Sequence, residues 1–229
     1  RGVGDPVERV GALLPDGRTV DLFAGYAAYV AAGGNGARAL ELAAERMPRD
    51  MIAFFAGGPG TRDIAETVLG FVADRLARGD AVLAPDAAPV VFAEGEIKLL
   101  APVPRPPRIR DYLTYAGHAT GGGLRLPEAF YEMPICYKGN PFSVIGPEDE
   151  ILWPAYTDQL DYELELGFYI GKEGRNIPVE EAGAYIAGLT IFNDVSARDI
   201  QMREMSLTIG PSKGKDFCNV MGPCAVTPD

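Results

Sequence analysis

Along the first hundred residues the apolar positions recur mostly at helical spacing. Ile64, Val68, Phe71, Val72 and Leu76 trace one face of a helix predicted over Arg62–Arg78, and a shorter helical pattern covers Ala37–Arg46. Ahead of them, Val10 to Leu22 contains Leu-Pro-Asp-Gly-Arg, whose Asp16-Gly17 pair predicts a hairpin turn. Ile97–Val103 reads as a strand that closes this part. Pro102-Val-Pro-Arg-Pro-Pro107 then forbids helix, because each proline lacks an N–H and fixes its φ. Beyond it the pattern shifts to short strands between Gly/Pro turns, at Pro134–Lys138, Tyr162–Ile170, Gly188–Asn193 and Val220–Val226, with helices at Val179–Tyr185 and Ser196–Met205. The reading is an α+β chain, mostly β: a small α/β module over 1–101, a proline-rich linker at 102–107, and a strand-rich core over 108–229.

One strand breaks the ordinary alternation. Asp161, Glu163 and Glu165 share a face, while Tyr162, Leu164, Leu166, Phe168 and Ile170 point the other way, as in a strand with a buried side. Side chains two apart on a strand are neighbours, and like charges held there repel. A solvated acidic face is the plain explanation. A bound cation is the other, and carboxylate oxygens suit hard divalent ions such as Mg²⁺, Ca²⁺ or Mn²⁺.

Composition narrows the classes. The 229 residues carry 32 acidic and 21 basic side chains, a net charge of −11, which argues against nucleic acid or an anionic membrane as the main partner. Cys136, Cys218 and Cys224 form no Cys-x-x-Cys pair, and with one histidine a zinc site of the usual Cys/His type is excluded. Reduced thiols in a cytoplasmic setting are expected. The longest apolar stretch, Leu22 to Ala32, falls short of the roughly 20 residues that a bilayer span takes, and no secretory signal is read before it. Both ends read as cut: Arg1 stands where a Met is usual, and the chain stops just after a strand-like segment, so the core is expected to continue beyond Asp229.

Further polar groups keep company with the acids. The apolar run Ala187–Asn193 leads into Asp194-Val-Ser-Ala-Arg-Asp-Ile-Gln201, where Ser196 and Asp199 have capping-box spacing and Arg198 and Gln201 would share a helix face beside Asp194. Gly210-Pro-Ser-Lys-Gly-Lys215 sets Lys213 and Lys215 on a glycine-hinged turn, where they are either solvated or anion-binding. His118, the only histidine, precedes Gly121-Gly122-Gly123, a stretch suited to a closing loop over His118–Leu126 that is more mobile than the strands.

Taken in order, these segments resemble the fumarylacetoacetate hydrolase superfamily. The resemblance rests on Leu160-Asp-Tyr-Glu-Leu-Glu-Leu166, Ile170-Gly-Lys172, Asn193-Asp-Val-Ser-Ala-Arg-Asp-Ile-Gln201, Gly214-Lys-Asp-Phe217 and the Asp111-to-His118 spacing, and it covers nearly everything from Lys98 onward. It implies a core built on a rolled mixed sheet, with Asp111, Glu163, Glu165 and Asp194 ligating one divalent cation, Mg²⁺ first and Ca²⁺ or Mn²⁺ next. It also implies that Asp161 lies in an outer shell or at the surface, that His118 activates water, that Arg198, Gln201 and Lys215 bind substrate oxygens and stabilise negative charge, and that Tyr137 contacts substrate. A homodimer is the usual assembly, and the glutamate that orients the histidine would lie beyond Asp229. Met202-Arg-Glu-Met205 stands where fumarylacetoacetases proper tend to carry aromatics, which leaves the exact substrate open.

The implied activity is hydrolysis of a carbon–carbon bond in a small keto-acid substrate, a β-diketo acid or acylpyruvate. The cation would polarise the attacked carbonyl and His118 would deprotonate water. The alternative is an isomerase, dehydratase or decarboxylase working on a 2-keto acid through the same chelated enolate. The metal ligands do not separate these, and His118 favours hydrolysis, since the other reactions need no activated water. A binding protein without chemistry is disfavoured because every recognisable ligand position is filled.

Overall fold

The computed structural model describes residues 7–121, 123 and 125–228. The Asp16-Gly17 turn forms as expected. β1 (Gly11–Leu13) pairs antiparallel with β2 (Thr19–Asp21), Leu13 opposite Thr19, and Gly17 takes φ +87°, a conformation open to glycine at no steric cost. β3 (Val91–Phe92) adds to the other side of β2. Asp21 ends β2 and caps α1 (Leu22–Val30): one carboxylate oxygen accepts the Ala24 N–H at 3.0 Å, and the other meets Arg9 at 2.5 Å.

α1 is buried on nearly every side, at Leu22, Ala24, Gly25, Tyr26, Ala27, Ala28 and Val30, so it shows no amphipathic stripe and the periodicity gave no sign of it. The expected helices are present as α2 (Ala39–Arg46) and α4 (Gly58–Ala77), and between them α3 (Met51–Ala56) is capped by Asp50. Val20, Ala27, Ala39, Ala43, Val68, Val72 and Val90 are wholly enclosed at the centre of this core. Ile97–Val103 forms no strand, which corrects the expectation there; Pro102 and Pro104 remove the N–H groups a ladder would use.

The second half opens with β4 (Asp111–Tyr112), then α5 (Ala116–Gly121) and α6 (Ala129–Glu132), and β5 (Cys136–Tyr137), which pairs antiparallel with β4 and sets Asp111 opposite Tyr137. β6 (Val144–Ile145) follows. The single strand read over Tyr162–Ile170 is two, β7 (Leu160–Asp161) and β8 (Leu164–Ile170). After α7 (Val179–Ala182) come β9 (Ile186–Asp194), β10 (Ser196–Ala197), α8 (Arg198–Met205) and β11 (Asn219–Val226). β7 pairs with β10, Asp161 opposite Ser196, whereas β8 is an edge of the sheet ordered β6-β11-β9-β8, in which β6 and β11 run parallel. The switch of partner explains the break.

Three expectations change. The capping box at Ser196 and Asp199 does not form: Ala197 is the N-cap, Ser196 donates to the Asp194 carbonyl at 2.9 Å, and Asp199 accepts from Thr157. The β8 alternation is real but inverted, with Leu164 76% and Leu166 71% exposed while Glu163 and Glu165 are the sheltered side. The α+β class stands, yet helix (about 36%) outweighs strand (about 20%), because four helices build the first module and many strands are two or three residues long. The chain forms two compact units: Arg1–Val103 with Phe168–Thr190 and Cys224–Asp229, and Pro104–Gly167 with Ile191–Pro223. The first holds the core described above, including a stacked Phe55–Tyr169 pair with centroids 5.3 Å apart. The second holds the acidic residues.

Helix packing in the first unit yields a paired prediction. A Cβ on Gly25 of α1 would lie 2.5 Å from Val68 Cγ1 of α4, whereas one on Gly70 meets nothing within 4 Å. Gly25→Ala should therefore lower stability by about 1–3 kcal/mol through overpacking. Gly70→Ala should raise it by about 0.5–1 kcal/mol through backbone entropy. Urea unfolding of both variants checks this; equal effects would contradict the packing.

Candidate active site

Four carboxylates converge from separate pieces of the second unit. Asp111 comes from β4, Glu163 from the break between β7 and β8, Glu165 from β8 two residues on, and Asp194 from the end of β9. One oxygen from each lies within 4.8 Å of the others. The break has a structural prop: the Glu163 N–H donates to Asn193 Oδ1 at 3.0 Å, tying it to the residue before Asp194. Asp194 is wholly buried, and its Oδ1 has no hydrogen-bond partner among the described residues. An enclosed oxygen left unpaired costs about 1–3 kcal/mol, more when charged, a cost that a cation bound there would offset.

Two basic side chains enter the cluster. Lys215 is 3% exposed, with Nζ 2.7 Å from Glu163 Oε2 and 3.0 Å from Asp194 Oδ2. Arg198, the first residue of α8, donates through Nε to Asp161 Oδ2 at 2.8 Å, and through Nη1 to Glu163 Oε1 and to Gln201 Oε1 (3.0 Å). The guanidinium thus bridges Asp161 and Glu163, the alternate positions that the strand pattern set on one face. The Tyr137 hydroxyl donates to Asp194 Oδ2. Even so, five carboxylates face two cations. This all-oxygen donor set with surplus negative charge fits a hard divalent ion held by Asp111, Glu163, Glu165 and Asp194.

The electrostatics follow from this crowding. Burial, with the neighbouring Glu163 and Asp111, pushes Glu165 up to about 8. Burial likewise raises Asp194 to about 7, against the pull of Lys215, and raises Asp111. Glu163 goes the other way: burial opposes its ionisation, but hydrogen bonds from Lys215, Glu165 and Arg198 hold it down at about 2.

Of the residues singled out in the sequence, Asp111, Glu163, Glu165, Asp194, Tyr137, Arg198, Gln201 and Lys215 come together. His118 does not. It sits exposed on the short helix α5, and its side chain makes no hydrogen bond or ion pair among the described residues. Gly122 and Leu124 of the segment read as a closing loop lie outside the described residues. Lys213 is exposed, and its backbone carbonyl accepts from Tyr156 at 2.8 Å. Sequence reasoning missed Asn193 and Glu204. The second had a signal, since Arg198, Gln201 and Glu204 recur every three residues along α8.

Between about pH 4 and 8 the folded chain retains protons on Glu165 and Asp194 that the unfolded chain has released, so stability falls as pH rises through that window. Glu163, held low, contributes its stabilisation throughout it. In chelator-treated protein the thermal midpoint should decline from pH 5 to 8, and Glu165→Gln should flatten the slope. A slope unchanged by that substitution would contradict the electrostatic account.

Comparison with known proteins identifies the family. The family model for the fumarylacetoacetate hydrolase C-terminal domain matches residues 108–229. The human protein named oxaloacetate tautomerase FAHD2A, mitochondrial, is 31% identical over 199 residues, 86% of this chain and 57% of its own length. Its rat counterpart is 33% identical over 184 residues, 80% and 52% respectively, so the chain spans about half the length of these curated relatives. Among solved structures, a candidate HpcE protein from Mycobacterium smegmatis superposes with a TM-score of 0.59 at 26% identity, over 96% of this chain and 64% of that one. A fumarylacetoacetate hydrolase from Exiguobacterium antarcticum shares the fold, with a TM-score of 0.56 at 24% identity over 96% of this chain and 62% of its own. With its carboxylates, Arg198, Gln201 and Lys215 carried on the matched segment, the chain belongs to the fumarylacetoacetate hydrolase superfamily.

Proposed function

We propose that this chain catalyses keto–enol chemistry on a small 2-keto acid, with one divalent cation, Mg²⁺ first among Mg²⁺, Ca²⁺ and Mn²⁺, held by Asp111, Glu163, Glu165 and Asp194. The observation that carries the reading is the buried Lys215 amine amid these carboxylates while His118 stands exposed and apart. The bound cation would act as a Lewis acid on a substrate carbonyl. Lys215 places a donor beside that carbonyl, where negative charge develops as the substrate enolises, and an enclosed donor of this kind contributes about 3–4 kcal/mol to such a step. Arg198 and Gln201, presented together by α8, offer N–H groups to the substrate's carboxylate oxygens. The Tyr137 hydroxyl orients Asp194 and faces the same substrate.

Tautomerisation needs no activated water, and the human and rat relatives are named oxaloacetate tautomerases. The second reading is hydrolysis of a carbon–carbon bond in an acylpyruvate or β-diketo acid. It is favoured by the Asp111-to-His118 spacing, and it requires His118 to leave its exposed place and act as the base. A homodimer remains part of the proposal, supported by the family resemblance, and so does a cytoplasmic location, supported by the cysteine pattern. No helix among the described residues is long and apolar enough to cross a membrane, and the human and rat relatives are named as mitochondrial.

The two readings part on one pair of variants, with fold checked by circular dichroism. Metal-loaded protein is assayed for enol-to-keto conversion of oxaloacetate and for cleavage of acetylpyruvate and fumarylpyruvate. Lys215→Met should reduce tautomerisation by about 10²–10³-fold, and His118→Ala should leave it within about 3-fold. Cleavage as the dominant wild-type activity, lost by about 10²–10⁴-fold in His118→Ala, would establish the hydrolase reading instead. Absence of all three activities would overturn both.

A further inference from the structure

The turn that carries Lys215 is held by one carboxylate. Glu204, in the last turn of α8, accepts three consecutive backbone N–H groups: Ser212 and Gly214 on Oε2 at 2.9 and 3.1 Å, and Lys213 on Oε1 at 2.8 Å. Three amides on one carboxylate form an anion nest whose occupant is supplied by the protein itself. The turn is also pressed onto the same helix. A Cβ on Gly214 would lie 2.8 Å from the Cα and N of Gln201, and one on Gly210 would lie 3.0 Å from Glu204 Cβ. The Gly214 carbonyl accepts the Ala197 N–H at 2.8 Å, and the Ser212 carbonyl accepts from Lys215 and Asp216 at 2.9 and 2.8 Å. The next side chain along is Lys215, reaching Glu163 and Asp194.

We infer that Glu204 is a positioning residue: by closing the amides of 212–214 onto α8, it fixes where the Lys215 amine stands relative to Arg198 and Gln201. The helix then supplies three groups at successive three-residue steps, with Arg198 and Gln201 facing substrate and Glu204 setting the third donor. Nothing else among the described residues neutralises the three amides. The local backbone bonds of the turn and the Tyr156 bond to the Lys213 carbonyl would survive loss of Glu204, but its seating on α8 would rest on the Ala197 bond and on the close approach of Gly210 and Gly214. A misplacement of about 1 Å costs on the order of 10²-fold in rate. The inference deepens the proposed function, because Lys215 matters to turnover only if that reading holds.

The test reads Lys215 directly as well as through activity. Wild type, Glu204→Gln and Glu204→Ala are labelled with an amine-acylating reagent, and Lys215 modification is followed by mass spectrometry, beside kcat and KM for oxaloacetate. In Glu204→Ala, Lys215 should label at least about tenfold faster and kcat fall by about 10²-fold, with KM little changed. Glu204→Gln, which keeps one acceptor oxygen, should fall between. Formate at tens of millimolar should refill the nest in Glu204→Ala and restore both slow labelling and part of kcat, while the same concentration of chloride should not. Unchanged labelling in Glu204→Ala overturns the inference, and so does faster labelling that ignores formate. A wild type that turns over no keto acid refutes the proposed function, and labelling still decides the position of Lys215.

Discussion

Carboxylate oxygens drawn within 4.8 Å of one another, from Asp111, Glu163, Glu165 and Asp194, repel, and burying them sharpens the repulsion. The rest of the second unit is arranged to meet that constraint. Lys215 is enclosed between two of the acids, Arg198 bridges Asp161 and Glu163, and Tyr137 and Asn193 fix a side chain and a backbone turn. The strand is broken after Asp161 so that β7 pairs with β10 while β8 joins the sheet, and the break places Glu163 where both cations reach it. What this leaves unmatched is negative charge and one orphaned oxygen, the requirements that a hard divalent ion fulfils.

Much of this was legible because it was written in short-range spacing. The Asp161/Glu163/Glu165 alternation, the Arg198/Gln201 step and the Asp16-Gly17 hairpin are all set by the period of a strand, a helix or a two-residue turn. What sequence could not give was the direction of burial. Leu164, Leu166, Phe168 and Ile170 are the exposed side of β8, because the acids are drawn inward by Lys215 and Arg198, which arrive from residues more than thirty positions later. α1 was missed for a related reason: a helix buried all round has no polar face to reveal its period. Asp199 was misread as a capping partner because local spacing carries no information about Thr157, which claims it across the fold.

The two units differ in what they hold. The first provides a packed apolar core around Val20, Val68, Val72 and Val90, whereas the candidate site residues belong to short strands, a strand break and one two-turn helix of the second. Side chains carried on such junctions are set by few bonds each, so single contacts count. α8 concentrates this dependence, since the helix that presents Arg198 and Gln201 also anchors the loop of Lys215 through Glu204. Position 118 is the counterpoint, a histidine on a separate six-residue helix whose side chain makes no bond into this network among the described residues.

The central claim is that these four carboxylates form one divalent-cation site, and calorimetric titration of chelator-treated protein with Mn²⁺ or Mg²⁺ near pH 8 tests it most directly. One equivalent should bind saturably to the wild type. Glu163→Gln and Asp194→Asn, each confirmed as folded, should lose affinity by more than the 10–100-fold typical of outer-shell changes. No saturable binding to the wild type, or equal affinity in folded Asp194→Asn, would contradict it.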